Sequence, residues 1–477
     1  MNNEKNKFLY EKIVGNISNQ IHKGILKPLD RLPTVRKLSK DLGISISTVL
    51  LAYSELERNG YIQSKVGSGH YVRSRPQIEF QEPNAPSVEA VIRKYTNDDL
   101  VLNIHEQSNI PGLISLGAGV PSEDILPTKK LNRIQTSILR HSESAGILYE
   151  FPPGYYKLRL EIAKRMAQWN VSITPDDIII TSGAVEAITL ALKAICKPGD
   201  TIITESPTYY ILLQQIQNLG MKILEVPTNP RDGIEINALK KVLSKHNISA
   251  CVLYPTINNP SGSVMSDGKK ETVYDLLSSK DIPIIEGDVW GELYFNKPRP
   301  KPIKSFDKKG LVLYFSSFSK TGLPGYRIGW ITPGKYFKSI KGLKYMYSMS
   351  TSTLSQITIA EFIRCGAYDK CLENLRKIYN SRLSLLLQFI SEYFPKQTKI
   401  VKPRGGAFLW IELPKTIDSI ELYNQALVKK ISIAPGVLFS TRKDLSNYIR
   451  LSAACKWDNL EIESAIKTLG ELCKGFL

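Results

Sequence analysis

The sequence predicts two folded units of different class: an α+β winged helix-turn-helix at the N-terminus and a larger α/β domain with a mostly parallel sheet. Three observations carry this. Three amphipathic stripes and a glycine-tipped hairpin pattern fill the first 75 residues, and beyond residue 111 short β-rich runs alternate with helical stretches. Positive charge is densest at the start, where residues 1–75 hold 13 Lys/Arg against 6 Asp/Glu in a chain of 477 residues and net charge +18. Such a balance points to a polyanionic partner.

Leu9, Ile13, Ile17 and Ile21 recur every fourth residue with Val14 beside them, the stripe of a helix ending at Gly24. Thr34 caps a short helix carrying Val35, Leu38 and Leu42, which Gly43 stops. Ser45 or Ser47 caps a third helix, with Val49, Leu50, Tyr53 and Leu56 expected inside and Gly60 closing it. Tyr61–Ser64 and His70–Arg73 then flank a tip containing Gly67, Ser68 and Gly69, where glycine permits positive φ. In a winged helix the third helix enters the major groove by its N-terminal end, so Ser45, Ser47 and Thr48 face bases or phosphates. Arg36, Lys37 and Arg58 fall near backbone phosphates, and the tip Gly67, Ser68 and Gly69 falls near the minor groove. The bland alternative is a protein-binding module whose lysines form a solvated face; it does not explain why pattern, charge and wing agree. Leu32-Pro33-Thr34-Val35-Arg36-Lys37-Leu38, Ser47-Thr48-Val49, Gly60-Tyr61-Ile62 and Gly67-Ser68-Gly69-His70-Tyr71-Val72 resemble, in order and spacing, the DNA-binding domain of the GntR regulators.

Apolar residues make up 42% of the chain, ample for a large core and a smaller one. No run approaches the ~18–20 apolar residues of a membrane span, and the polar start, Met1 to Lys7, lacks a secretion signal, which implies the cytoplasm. The six cysteines lack the paired spacings of zinc sites and read as buried thiols. Between the units, residues 76–110 carry Pro76, Pro83 and Pro86 among polar residues and read as an extended linker, with 111–477 as the second domain.

In that domain the runs at Ile178–Thr181, Thr201–Ile203, Ile223–Val226, Ala250–Tyr254, Ile282–Ile285 and Val312–Phe315 are strand candidates. Ligands gather at the carboxyl ends of parallel strands. There the chain places Ser182-Gly183-Ala184-Val185, a small-residue turn opening a helix whose free N–H groups suit a phosphate. It also places Tyr209, able to stack on a flat ring, and Asn259, a donor within Asn258-Asn259-Pro260-Ser261-Gly262. Taken singly these are a helix cap, a core tyrosine and an ordinary turn. After the last run come Ser317, Lys320 and, seven positions on, Arg327 behind a Pro-Gly turn. A lysine with lowered pKa forms Schiff bases, while a serine hydroxyl and a guanidinium hold a phosphate dianion.

In this order the segments resemble the fold-type I pyridoxal 5'-phosphate (PLP) aminotransferases. The resemblance implies that Lys320 bonds the cofactor aldehyde, and that Gly183, Ala184, Val185, Ser317 and Arg327 hold its phosphate. Tyr209 stacks on the ring and Asn259 meets its phenolic oxygen, while Tyr149 is lent to the neighbouring subunit of a homodimer. The segments from Arg404, Ala434 and Ile449 resemble the C-terminal α+β subdomain, with Arg450 on the arginine that grips an amino acid's α-carboxylate. One segment departs. An ungapped match of Glu286-Gly287-Asp288-Val289-Trp290 puts Gly287 on the aspartate that bonds the ring nitrogen and Trp290 on a tyrosine; a one-residue shift assigns Asp288 instead. In extended backbone the two registers point opposite ways.

A GntR-type reader ahead of an aminotransferase-like domain resembles the MocR subgroup of bacterial regulators. That implies a transcriptional regulator that binds operator DNA and senses PLP, or an amine or amino acid, at Lys320. The rival is a working aminotransferase with an accessory DNA-binding domain; Gly287 and Trp290 count against it. A third reading keeps the large domain only as a dimerisation scaffold.

Overall fold

The structure is a computed structural model that describes residues 9–23, 25–27, 29–58, 61–65, 68–73, 80–85, 90–107, 110–141, 146–296, 298–442 and 444–477. The first unit has the order α1 (Leu9–His22), α2 (Val35–Leu42), α3 (Ile46–Arg58), β1 (Ile62–Lys65) and β2 (Gly69–Val72). Thr34 Oγ1 accepts the N–H of Lys37 at the start of α2, and Gly43 ends it at φ 64°. Ser45 caps α3 by accepting the N–H of Thr48 at 3.1 Å. β1 and β2 pair antiparallel, Ile62 opposite Val72.

The small core is Ile13, Ile17, Leu32, Val49, Ala52, Tyr53, Leu56, Ile62 and Val72. Leu50, expected inside, is instead 48% exposed. The stripe of α3 runs through Val49, Ala52, Tyr53 and Leu56, spaced three and four apart, and Leu50 falls beside it. Gly24, Gly60 and Gly67 lie outside the described residues, as does the side chain of Arg58.

The second unit is built on a twisted sheet whose main path runs Ile92–Arg93, Lys222–Asn229, Thr201–Ser206, Ala250–Leu253, Ile284–Gly287, Val312–Ser317, Gly329–Thr332, Ile179–Thr181. The five strands from Lys222–Asn229 to Val312–Ser317 are mutually parallel. Gly329–Thr332 is antiparallel to both its neighbours. The parallel strands are buried on both faces, so they read as unbroken apolar runs rather than alternating ones. A four-stranded antiparallel sheet, with the helices Ala367–Tyr393 and Asn459–Gly475, forms the C-terminal α+β subdomain. No helix among the described residues is long and apolar enough to cross a membrane.

Of the stretch read as a linker, 76–110, the described residues 80–85 and 90–107 are built into this second unit. Ile92–Arg93 adds an edge strand beside Lys222–Asn229, and the helix Asp98–Gln107 buries Val101 and Ile104. Tyr95 is 2% exposed and donates its hydroxyl proton to the carbonyl of Leu438 at 2.9 Å. The prolines masked a short apolar face. Just past β2, Arg73 joins the two units: its guanidinium pairs with Glu463 at 2.9 Å and lies 5.3 Å from the ring centre of Phe389.

Candidate functional site

The carboxyl ends of the parallel strands deliver most of the expected residues to one pocket. Lys320 follows the strand Val312–Ser317, and its ammonium donates to the carbonyl of Gly119 at 2.7 Å. Burial, then the charges of Arg450 and Arg327, lower its pKa from 10.5 to about 8. A lysine so placed holds a usable fraction of neutral amine near physiological pH.

Beside it, Arg327 sits in the left-handed region at φ 54° and donates from Nη1 to Ser319 Oγ at 3.1 Å. Ser317 Oγ lies 3.0 Å from Ser319 Oγ and 3.2 Å from the carbonyl oxygen of Ile328. The same guanidinium closes on Gly183, where an added Cβ would stand 2.8 Å from Arg327 Nη2. Gly183 itself has φ 84°, doubly requiring glycine. It opens the helix Ala184–Ile195, whose first N–H groups, those of Ala184 and Val185, have no intrahelical carbonyl. Serine hydroxyls, helix N–H groups and one guanidinium thus converge into a cradle for a dianion. Ser319 belongs to it and was missed, although its place between Ser317 and Lys320 signalled it.

On the far side, Arg450 is 1% exposed, donates to Asn259 Oδ1 at 2.8 Å and to the carbonyl of Gly117, and leaves its buried Nε without a partner among the described residues. Tyr209 stands in the fields of both Arg450 and Arg327, with burial holding its phenol protonated. Trp290 closes the cleft, 5.7 Å from Lys320 Nζ to its ring centre and edge-on to Phe408. Lys320, Arg327, Ser317, Gly183, Tyr209, Asn259 and Arg450 are therefore one site.

One expected residue is not in it. Asp288 is a correction: its Oδ2 accepts from Arg299 and from the hydroxyl of Tyr314. Gly287 instead faces Tyr254 and Phe315, so strand alternation turns Asp288 to the opposite side. Tyr149, lent by the resemblance to a neighbouring subunit, is 69% exposed and stacks on Phe151 at 5.6 Å.

In the winged unit, Ser45, Ser47 and Thr48 share hydroxyl contacts of 2.8 and 2.7 Å at the N-terminus of α3. Arg36 and Lys37 are exposed in the first turn of α2. Ser68 Oγ lies 2.7 Å from the hydroxyl of Tyr71, and Gly69 starts β2 at φ 110°. Arg31, 3.5 Å from the position of a Cβ on Gly69, brings a cation to the wing that the sequence reading had not assigned.

Residues 111–469 match the family of aminotransferases class I and II, and residues 9–72 match the bacterial regulatory proteins of the gntR family. An uncharacterized HTH-type transcriptional regulator of Escherichia coli, YdcR, is 36% identical over 97% of this chain and 98% of its own length. A second such regulator, YdfD of Bacillus subtilis, is 30% identical over 98% and 96%. The kynurenine aminotransferase of Pyrococcus horikoshii superposes with a TM-score of 0.73 at 28% identity, covering 80% of this chain and 97% of that one. With both family matches and full-length relatives in agreement, the chain belongs to the aminotransferase class I and II family and carries a GntR-type winged helix in front of it, the architecture of the MocR regulators.

Proposed function

We propose that this chain is a cytoplasmic, homodimeric transcriptional regulator that binds operator DNA through residues 1–75 and holds PLP at Lys320. The observation that carries the second half is the pairing of a lysine of lowered pKa with a phosphate cradle that a Cβ on Gly183 would fill. Bound there, PLP supplies an aldehyde that condenses reversibly with a primary amine.

The chain's own residues divide the work. Lys320 offers its neutral amine. Arg327, Ser317, Ser319 and the N–H groups of Ala184 and Val185 would hold the phosphate beside that amine. Tyr209 would stack on the ring, and Asn259, its oxygen engaged by Arg450, would donate an amide N–H to the phenolic oxygen. Arg450 offers a guanidinium to an amino-acid carboxylate. Trp290 and Phe408 keep water from the cleft. The exposed cluster Ile147, Leu148, Tyr149, Phe151, Tyr345 and Tyr347 is an apolar face suited to a second copy, which would receive Tyr149.

Ser45, Ser47 and Thr48 present α3 to the major groove, with Arg36 and Lys37 on phosphates and the wing residues Ser68 and Gly69 beside the minor groove. Occupancy of the pocket, or its capture by an amine, shifts the dimer between geometries that hold operator DNA differently.

The test is the visible absorbance of the full chain with added PLP, before and after borohydride reduction, for wild type and Lys320→Ala. A reducible band confined to wild type supports the reading. Equal absorbance in both proteins refutes it.

A further inference from the structure

We propose that the hydroxyl of Tyr254 meets the ring nitrogen of PLP, so that this chain holds the cofactor with its pyridine unprotonated. The inference rests on the cofactor reading above and deepens it.

Gly287 ends the strand Ile284–Gly287, paired on one side with Phe315. On the other side the pairing of Glu286 with Leu253 brings the next residues, Gly287 and Tyr254, level. A Cβ on Gly287 would stand 2.3 Å from Tyr254 Cε1 and 2.6 Å from Phe315 Cζ, so two rings close over this position from both sides. No acidic side chain fits there without displacing them. The nearest carboxylate in sequence, Asp288, is held on the opposite side by Arg299 and Tyr314.

Tyr254 packs against both this floor and Tyr209. Its ring meets Phe315 edge-on at 6.1 Å and Tyr209 edge-on at 6.5 Å, and Tyr209 is the ring that covers the cofactor. Its hydroxyl is buried and has no hydrogen-bond partner among the described residues, an arrangement that costs stability unless a ligand supplies an acceptor. A pyridine nitrogen is such an acceptor. Burial and the neighbouring Glu205 keep the phenol protonated and therefore able to donate. Glu205 is itself fully buried, and one of its oxygens accepts the N–H of Tyr254 and the amide of Asn258.

A neutral phenol does not stabilise a pyridinium as a carboxylate does, and an unprotonated ring is a poor electron sink. The site then retains what reversible amine capture needs while proton loss at an amino acid's Cα is slow.

The experiment is nitrogen NMR of the full chain loaded with ¹⁵N-labelled PLP, comparing wild type, Tyr254→Phe and Glu205→Gln, with circular dichroism to show that each folds. Wild type is expected in the neutral-pyridine range, and Tyr254→Phe is expected to move the signal and weaken binding by roughly 5- to 10-fold, the worth of one hydrogen bond. A pyridinium signal in wild type, or a signal that responds to Glu205→Gln and not to Tyr254→Phe, overturns the assignment to Tyr254. Absence of a Lys320-dependent reducible band would instead sink the cofactor reading itself, and this inference with it.

Discussion

Arg450 and Asn259 are bound to each other across the pocket, Nη1 to Oδ1 at 2.8 Å, although they lie 191 residues apart. An amino acid entering with its carboxylate toward Arg450 must share or replace that bond. Arg450→Lys loses the planar fork, and the capture of an amino acid should weaken about 10- to 100-fold, the worth of a charge-assisted hydrogen bond. Titrating the cofactor band with an amino acid and with the matching simple amine checks this. Only the amino acid should be affected.

Gly183→Ala places a methyl 2.8 Å from Arg327 Nη2 on a backbone at φ 84°. Phosphate holding should suffer before the fold does, with PLP affinity falling at least about tenfold, or ~1.4 kcal/mol. Fluorescence titration with PLP, beside pyridoxal lacking the phosphate, reads this out; pyridoxal binding should change less.

Lys320 gives a pH prediction whose sign follows from its lowered pKa. Between about 8, its pKa in the fold, and 10.5 the unfolded chain binds more protons, so stability of the cofactor-free protein rises with pH across that window. Below pH 8 the cost is fully present. Lys320→Met should therefore melt higher than wild type at pH 7, with the gap closing toward pH 10. Differential scanning calorimetry without PLP measures it.

These residues also show what a linear sequence discloses. The lysine segment, the turn at Gly183 and the three helices of the winged unit were legible because each is contiguous: spacing and caps write them locally. Asp288 was not, because a one-residue register choice inverts the direction of a strand side chain, and only the rings of Tyr254 and Phe315 beside Gly287 decide it. The stretch from Phe80 failed for a related reason. Its strand and helix are short, and their partners lie more than a hundred residues away, Leu224 opposite Ile92 and the hydroxyl of Tyr423 accepting from Gln107. Leu50 was a simpler error of phase within a correctly placed helix.

The pair Arg73 and Glu463 ties the end of the wing to the helix Asn459–Gly475. As a partly exposed ion pair it should contribute less than about 1 kcal/mol to stability. Its role in communication should be larger. Glu463→Ala is expected to leave PLP affinity intact while changing the difference in operator affinity between loaded and unloaded protein by about 2- to 30-fold. Fluorescence anisotropy on labelled operator DNA resolves such a change.

On the DNA side, Arg36→Ala and Lys37→Ala should each lower the slope of log affinity against log salt by about 1. Ser45→Ala removes the cap of α3 and should cost the fold about 1 kcal/mol in addition to its effect on binding. Salt titrations and thermal melts separate the two.

Occupancy of the pocket at Lys320 should change how the winged helices hold DNA. The most direct measurement is operator affinity and DNA bending with and without saturating PLP, for wild type and Lys320→Ala, using operator DNA selected on the full chain. A change in affinity or bend angle in wild type, absent in Lys320→Ala, is the expected result. Identical affinity and identical bending in loaded and unloaded wild type would contradict it.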